Sequence, residues 1–180
     1  MPSKPSSATS TQTLGLTKRP MDLIYLAFFT VHLAASLCVD LQCMFDRPSD
    51  VFPKALTSTL EDYLSTSNDP FLLGAWSPRY SWFTVSLLTE IFFQMPCFCV
   101  GIYGLYKDDK RTYPLLIAYG MLATFSAVQC IFTVLHGEER QVLSDSNVSG
   151  LLKNYLPFAV IPAILTVDLI LRTTKLIGGL

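Results

Sequence analysis

Four long apolar runs, at 23–44, 82–106, 114–135 and 155–171, alternate with polar segments along the chain. Each is close to the roughly 20 residues that a helix needs to cross the hydrocarbon core of a bilayer. The pattern predicts four spanning helices. Tyr80 and Trp82 open the second run and Tyr103 and Tyr106 close it, matching the aromatic belts of two membrane interfaces. Between the first two runs the chain is polar, yet Leu56, Leu60, Tyr63 and Leu64 recur at helical spacing after Pro53. That stretch reads as a short amphipathic helix against the mouth of the bundle. Ser67-Asn68-Asp69-Pro70 ends it, because a residue before proline avoids the helical region. Lys107-Asp108-Asp109-Lys110-Arg111 reads as a tight charged turn, and 136–150 as a polar loop. Pro96, inside the second run, predicts a kink that frees a backbone carbonyl. The expected fold is all-α: a four-helix transmembrane bundle with a short amphipathic helix in the first lumenal loop.

Composition agrees with a membrane protein. Of 180 residues, 51% are hydrophobic and only 15% charged, against about a quarter in soluble domains. A net charge of -1, with no basic patch interleaved with aromatics, excludes nucleic acid as a partner. The segment 1–19 is rich in Ser, Thr and Pro, too polar to offset the entropy of ordering, and does not read as a secretory signal. This suggests a flexible cytoplasmic tail at 1–20, a membrane domain at 21–173 and a second cytoplasmic tail at 174–180. With both termini on one side, that side carries eight Lys and Arg against five opposite, which predicts cytoplasmic termini. Cys38, Cys43, Cys97, Cys99 and Cys130 fall in or beside apolar runs and read as small buried residues, with no metal site among them. Asn147-Val148-Ser149 is a sequon, but it stands too near the fourth run to be expected to carry a glycan.

The candidate chemistry lies in polar groups inside the apolar runs. His32, Ser36 and Asp40 are four apart, so a helix stacks them on one side; Glu90, Gln94 and Cys97 share a face of the second span. An ionisable group at membrane depth is costly unless it is paired or faces water, and so marks a functional site. At 1.5 Å per residue Asp40 and Glu90 both sit roughly 7 to 12 Å below the same lumenal surface. Asp69 on the loop and Tyr155 at the start of the fourth span can reach that level. Were Asp40 and Asp69 adjacent, they would share a proton or hold a cation. Such an anionic floor under apolar walls suits an amphiphile with a polar or cationic head. The competing readings are a helix-end cap for Asp40 and an interhelical hydrogen-bonding role for Glu90 and His32. The third span contributes Tyr119, Thr124, Ser126 and Gln129 as polar members, and Asp168 with Arg172 forms an i,i+4 ion pair.

Taken together, His32, Asp40-Leu41-Gln42, Asn68-Asp69-Pro70, Trp82-Phe83, Glu90-x-x-Phe93-Gln94-x-Pro96 and Tyr155-x-Pro157-x4-Pro162 resemble the sigma-2 receptor family, also called the transmembrane protein ninety-seven family. That family belongs to the EXPERA-domain group with the emopamil-binding sterol isomerase. The resemblance covers about 22–172. It implies a four-helix endoplasmic reticulum protein, usually a homodimer, with a pocket open toward the bilayer that takes sterols and cationic amphiphiles. It also implies a role in sterol handling, with a sterol-transport protein as a possible partner. Asp40 would then pair with a ligand amine, Asp69 would hydrogen-bond to Asp40, Glu90 and Gln94 would support the site, and Tyr155 would line it. His32 and Thr124 complete the candidate ligand-binding set, and neither a cofactor nor a metal is called for. Phe158 stands where the family would have a second pocket tyrosine, and the C-terminal segment lacks a lysine-rich retrieval end. The alternative is a double-bond isomerase, with an acid and a base placed across a carbocation-like intermediate. The absence of a carboxylate from the third span favours a binder.

Overall fold

Helix follows helix from Pro20 onward in the computed structural model, which describes residues 15–179. Most of the tail expected at 1–20 lies outside the described residues, as does Leu180. The elements run α1 (Pro20–Cys38), α2 (Lys54–Ser67), α3 (Pro70–Leu73), α4 (Ser81–Thr89), α5 (Met95–Lys107), α6 (Tyr113–His136), α7 (Glu139–Val142) and α8 (Asp145–Gly178). Among the described residues there is no strand. Four helical stretches are long and apolar enough to span a membrane: Pro20–Met44, Pro78–Lys107, Lys110–His136 and Asp145–Gly178. The chain is a multi-pass membrane protein with an all-α fold.

Three boundaries depart from the sequence pattern. α1 stops at Cys38, and Asp40–Met44 continues as a tighter 3-10 helix, a frequent way for a last turn to satisfy its carbonyls. Asp40 therefore leaves the regular stack above His32 and Ser36. The loop expected at 136–150 holds α7, and α8 already begins at Asp145, where the Ser144 hydroxyl accepts the Asn147 N–H at 3.1 Å as an N-cap. α8 has 34 residues and is about 51 Å long, well beyond the hydrocarbon thickness, so its ends are free to be polar. It also runs through most of the segment expected to be a tail. Finally, Pro96 is accommodated by a π turn at Glu90–Gln94. Proline has no N–H to give the carbonyl four residues back and its ring crowds that carbonyl, so a wider turn relieves both.

The core has two parts. Tyr25, Phe29, Phe98, Leu116, Tyr119, Leu165 and Leu169 fill the middle of the bundle. Phe71, Tyr80, Val134, Val148 and Leu151 form a second cluster on the side of the loops. α6 lies close along α8 because Gly120 has no side chain: a Cβ there would come within 2.9 Å of the Pro162 carbonyl and collide with the Thr166 hydroxyl.

Ion networks close both ends. On the side of the chain termini, buried Asp22 pairs with Arg19 at 2.6 Å and Arg172 at 2.5 Å. Arg172 also takes the expected i,i+4 partner Asp168 at 2.6 Å, and Arg19 reaches the Leu105 carbonyl at 2.9 Å. On the loop side Arg79 and the Tyr80 hydroxyl converge on buried Glu139 at 2.9 and 2.8 Å. Burial opposes the charge of Glu139, but hydrogen bonds from its own backbone, Tyr80 and Arg79 prevail and hold it below the usual carboxylate range.

Candidate functional site

The π turn sets the direction of two site residues. It joins α4 to α5 with the Met95 N–H bonded to the Glu90 carbonyl, five residues back, and turns Glu90 and Gln94 toward the interior. Opposite them, α1 presents His32 and Ser36, both buried. The Ser36 hydroxyl donates to Glu90 Oε1 at 2.5 Å, and His32 Nε2 lies 3.5 Å from the same oxygen. Tyr119, from the middle of α6, places its hydroxyl 3.3 Å from His32 Nδ1. With Tyr119 donating to Nδ1, the imidazole proton sits on Nε2 and faces Glu90. Asp40 lines the same cavity wall as Glu90 and His32.

Asp69 stands apart from that chain. It is the N-cap of α3: its Oδ1 accepts the N–H of Phe71 at 3.0 Å and of Leu72 at 3.3 Å, with Pro70 at the first helical position. α2 ends just before it at Asn68, whose left-handed backbone (φ 49°) reverses the chain. Asp69 Oδ2 then accepts the hydroxyls of Tyr155 at 2.5 Å and Tyr63 at 3.0 Å. Burial pushes its pKa above the usual carboxylate range, while the donations from Tyr155, the Leu72 N–H and Tyr63 pull against that. Its hydrogen bonds thus go to tyrosines and to its own helix rather than to Asp40.

These groups lie around a cavity of about 780 Å³, within the roughly 300–1,000 Å³ range of small-molecule sites. His32, Asp40, Asp69, Glu90, Gln94 and Tyr155 all line it. Thr124 does not: it points to α8, with its hydroxyl 3.5 Å from the Ala159 carbonyl, while Ala123, Ser126 and Ala127 take the cavity face of α6. One helical residue is a rotation of about 100°, enough to exchange these faces. Most of the wall is apolar, including Phe28, Phe83, Leu87 and Phe158. Ile24 and Val31 line the cavity although 50% and 63% exposed, and Pro157 and Ile161 face them from α8. The cavity therefore reaches the outer surface of the spans between α1 and α8, and also the surface at the exposed Lys153 and Asn154 of α8. Among the described residues no group of His, Cys, Asp and Glu is arranged to hold a metal ion.

Sequence reasoning missed Tyr63 as a partner of Asp69 and Tyr119 as the support of His32. It also missed Lys153 and Asn154, which line the cavity from the first turns of α8. Tyr63 was legible only as an apolar position of α2, and Tyr119 only as a polar member of its span; packing alone supplies their roles.

A family model described as EXPERA (EXPanded EBP superfamily) matches residues 55–169. Efficient mitochondria targeting-associated protein 19 of Schizosaccharomyces pombe is 30% identical over 164 residues, covering 90% of this chain and 81% of its own. Sigma intracellular receptor 2 of Homo sapiens is 24% identical over 162 residues, covering 84% of this chain and 88% of its own. The receptor of the same name from Xenopus tropicalis is 23% identical over 158 residues, with 84% and 89% covered.

Proposed function

Because the chain belongs to the EXPERA family, the expanded EBP superfamily, we propose that its intramembrane cavity binds sterols and cationic amphiphiles and serves sterol or lipid handling. The observation that carries this reading is that Asp40 and Glu90 line one largely apolar cavity set among the membrane spans. An amine entering there meets carboxyl groups backed by Ser36 and His32, and gains a charge-assisted hydrogen bond in a setting that excludes water. A sterol brings one hydroxyl to the polar end and a ring system to the Phe and Leu walls. Likeness to the sigma receptors supports an endoplasmic reticulum membrane, and the excess of Lys and Arg on the termini side supports cytoplasmic termini. A homodimer and a sterol-transport partner belong to the same reading.

The test is binding of a radiolabelled cationic amphiphile to purified protein. Asp40→Asn is expected to abolish binding while the thermal transition remains; retained affinity would overturn the assignment.

A second reading is a sterol double-bond isomerase, favoured by the contacts from Tyr119 to His32 to Glu90, which with Asp40 in the same cavity could give and take protons across a ligand. Mass spectrometry of a sterol panel incubated with the protein separates the two: a converted isomer would establish the enzyme. The fission yeast relative, whose name links it to efficient mitochondria targeting, suggests a cellular assay as well. Precursor import into mitochondria, measured in cells lacking this chain, would reveal a shared role.

A further inference from the structure

Among the described residues two buried side-chain oxygens, Thr173 Oγ1 and Gln42 Oε1, have no hydrogen-bond partner, and the second lies beside a cavity. Gln42, in the 3-10 turn after α1, is fully buried. Its amide nitrogen donates to the carbonyl of Cys38 and, at 3.0 Å, to that of Leu56, so the orientation of the amide is set by two acceptors. Its Oε1 is left unpaired among the described residues. Buried acceptors are nearly always satisfied, so this one calls for a donor.

Gln42 lines a second cavity, of about 350 Å³, separated from the first by Leu72, which borders both. Leu60 and Leu64 of α2 form one wall. Phe45, Leu73 and Trp76, between 40% and 60% exposed, form the rim. The Trp76 indole is held in place by its N–H, which donates to the Cys43 carbonyl at 2.7 Å. An anchored tryptophan and exposed apolar side chains at the end of a spanning helix are what the headgroup level of a bilayer favours. Among the described residues no charged one lines this cavity.

We propose that this second cavity binds a single-chain, hydroxyl-bearing lipid from the surrounding membrane, such as a fatty alcohol or a monoacylglycerol. The hydroxyl donates to Gln42 Oε1, and the chain lies between Leu60, Leu64 and the Trp76 ring. The chemistry selects a hydroxyl. A carboxylate would set acceptor against acceptor, and an ammonium group would find no counter-charge. The site stands independently of the function proposed for the larger cavity.

The test is photolabelling of the full chain in lipid nanodiscs with a diazirine-bearing dodecanol, mapped by peptide mass spectrometry. Labels are expected on peptides carrying 42–45 and 72–77, displaced by excess 1-dodecanol but not by dodecane. Gln42→Met, which keeps the bulk and removes the acceptor, should lower labelling about tenfold. Leu64→Trp, which fills the cavity from α2 and leaves Gln42 untouched, should abolish it while amphiphile binding at Asp40 persists. Equal competition by dodecane would mean greasy contact only and would overturn the proposal. Undiminished labelling of folded Gln42→Met, or of Leu64→Trp, would do the same; should Gln42→Met fail to fold, Leu64→Trp decides.

Discussion

Tyr155→Phe removes one hydroxyl and leaves the ring, so it isolates what that hydroxyl does for Asp69. In the native structure Asp69 Oδ2 has two donors, Tyr155 at 2.5 Å and Tyr63 at 3.0 Å, and Asp69 is fully buried. The folded pKa of Asp69 lies above its unfolded value, near 3.9. Its contribution to stability is therefore complete below about that pH and is lost as pH rises through the folded pKa. Losing Tyr155 as a donor raises the folded pKa further, because the donor favours the charged form. At low pH the lost bond joins two neutral groups and costs about 1 kcal/mol; above the folded pKa it involves a carboxylate and costs about 1.5–3 kcal/mol. For a chain of this size that is a drop in Tm of about 2–4 °C per kcal/mol. Thermal unfolding of both proteins in detergent, from pH 4 to pH 9, should show a gap that widens with pH. A gap that is constant, or that narrows, would refute the argument that Tyr155 supports the charged form of Asp69. Tyr63→Phe should act in the same direction, and the double variant should exceed the sum because Oδ2 then has no side-chain donor.

Other expectations follow from the packing. Arg172→Met leaves Asp22 with Arg19 as its remaining ion-pair partner and Asp168 with the Tyr25 hydroxyl as its donor; losing the charge-assisted bonds of a partly exposed arginine should cost about 1.5–3 kcal/mol, measurable as a fall in Tm. Gly120→Val overfills the α6–α8 seam against Pro162 and Thr166 and should cost at least the roughly 1–3 kcal/mol of core overpacking, read by the same assay. Asn147 should carry no glycan, since its amide donates to the Ser67 carbonyl at 3.2 Å and its backbone is capped by Ser144; a shift in mobility on glycosidase treatment would contradict this. Asn147→Ala should then weaken the hold of α8 on α2 by about 1 kcal/mol.

Local periodicity made much of this architecture legible. The four spans follow from apolar length, and α2 from Leu56, Leu60, Tyr63 and Leu64, because membranes and helix faces impose patterns that a sequence must display. Helix direction and rise per residue lead to the expectation that Asp40, Glu90, Asp69 and Tyr155 lie near one another, and all four line one cavity. The start of α8 at Asp145 does not show, since a helix outside the hydrocarbon has no need of apolar residues. Pro96 announces a disturbed helix but not its form, as a kink and a π turn answer the same lost hydrogen bond. The Asp69-Pro70 pair did contain its cap role, an acceptor followed by the residue best suited to the first helical position. The bonding of Asp69 to Tyr63 and Tyr155 rather than to Asp40 is a matter of three-dimensional packing, and no spacing encodes it. Thr124 shows the same limit, because one position along α6 separates the cavity face from the α8 face.

The ion network of Arg19, Asp22, Asp168 and Arg172 ties α1 to α8 at the end where the two termini meet. The same two helices wall the larger cavity further along, with Ile24 and Val31 on one and Pro157 and Ile161 on the other. Any change in the spacing of α1 and α8 around the cavity is therefore restrained at one end by these ion pairs.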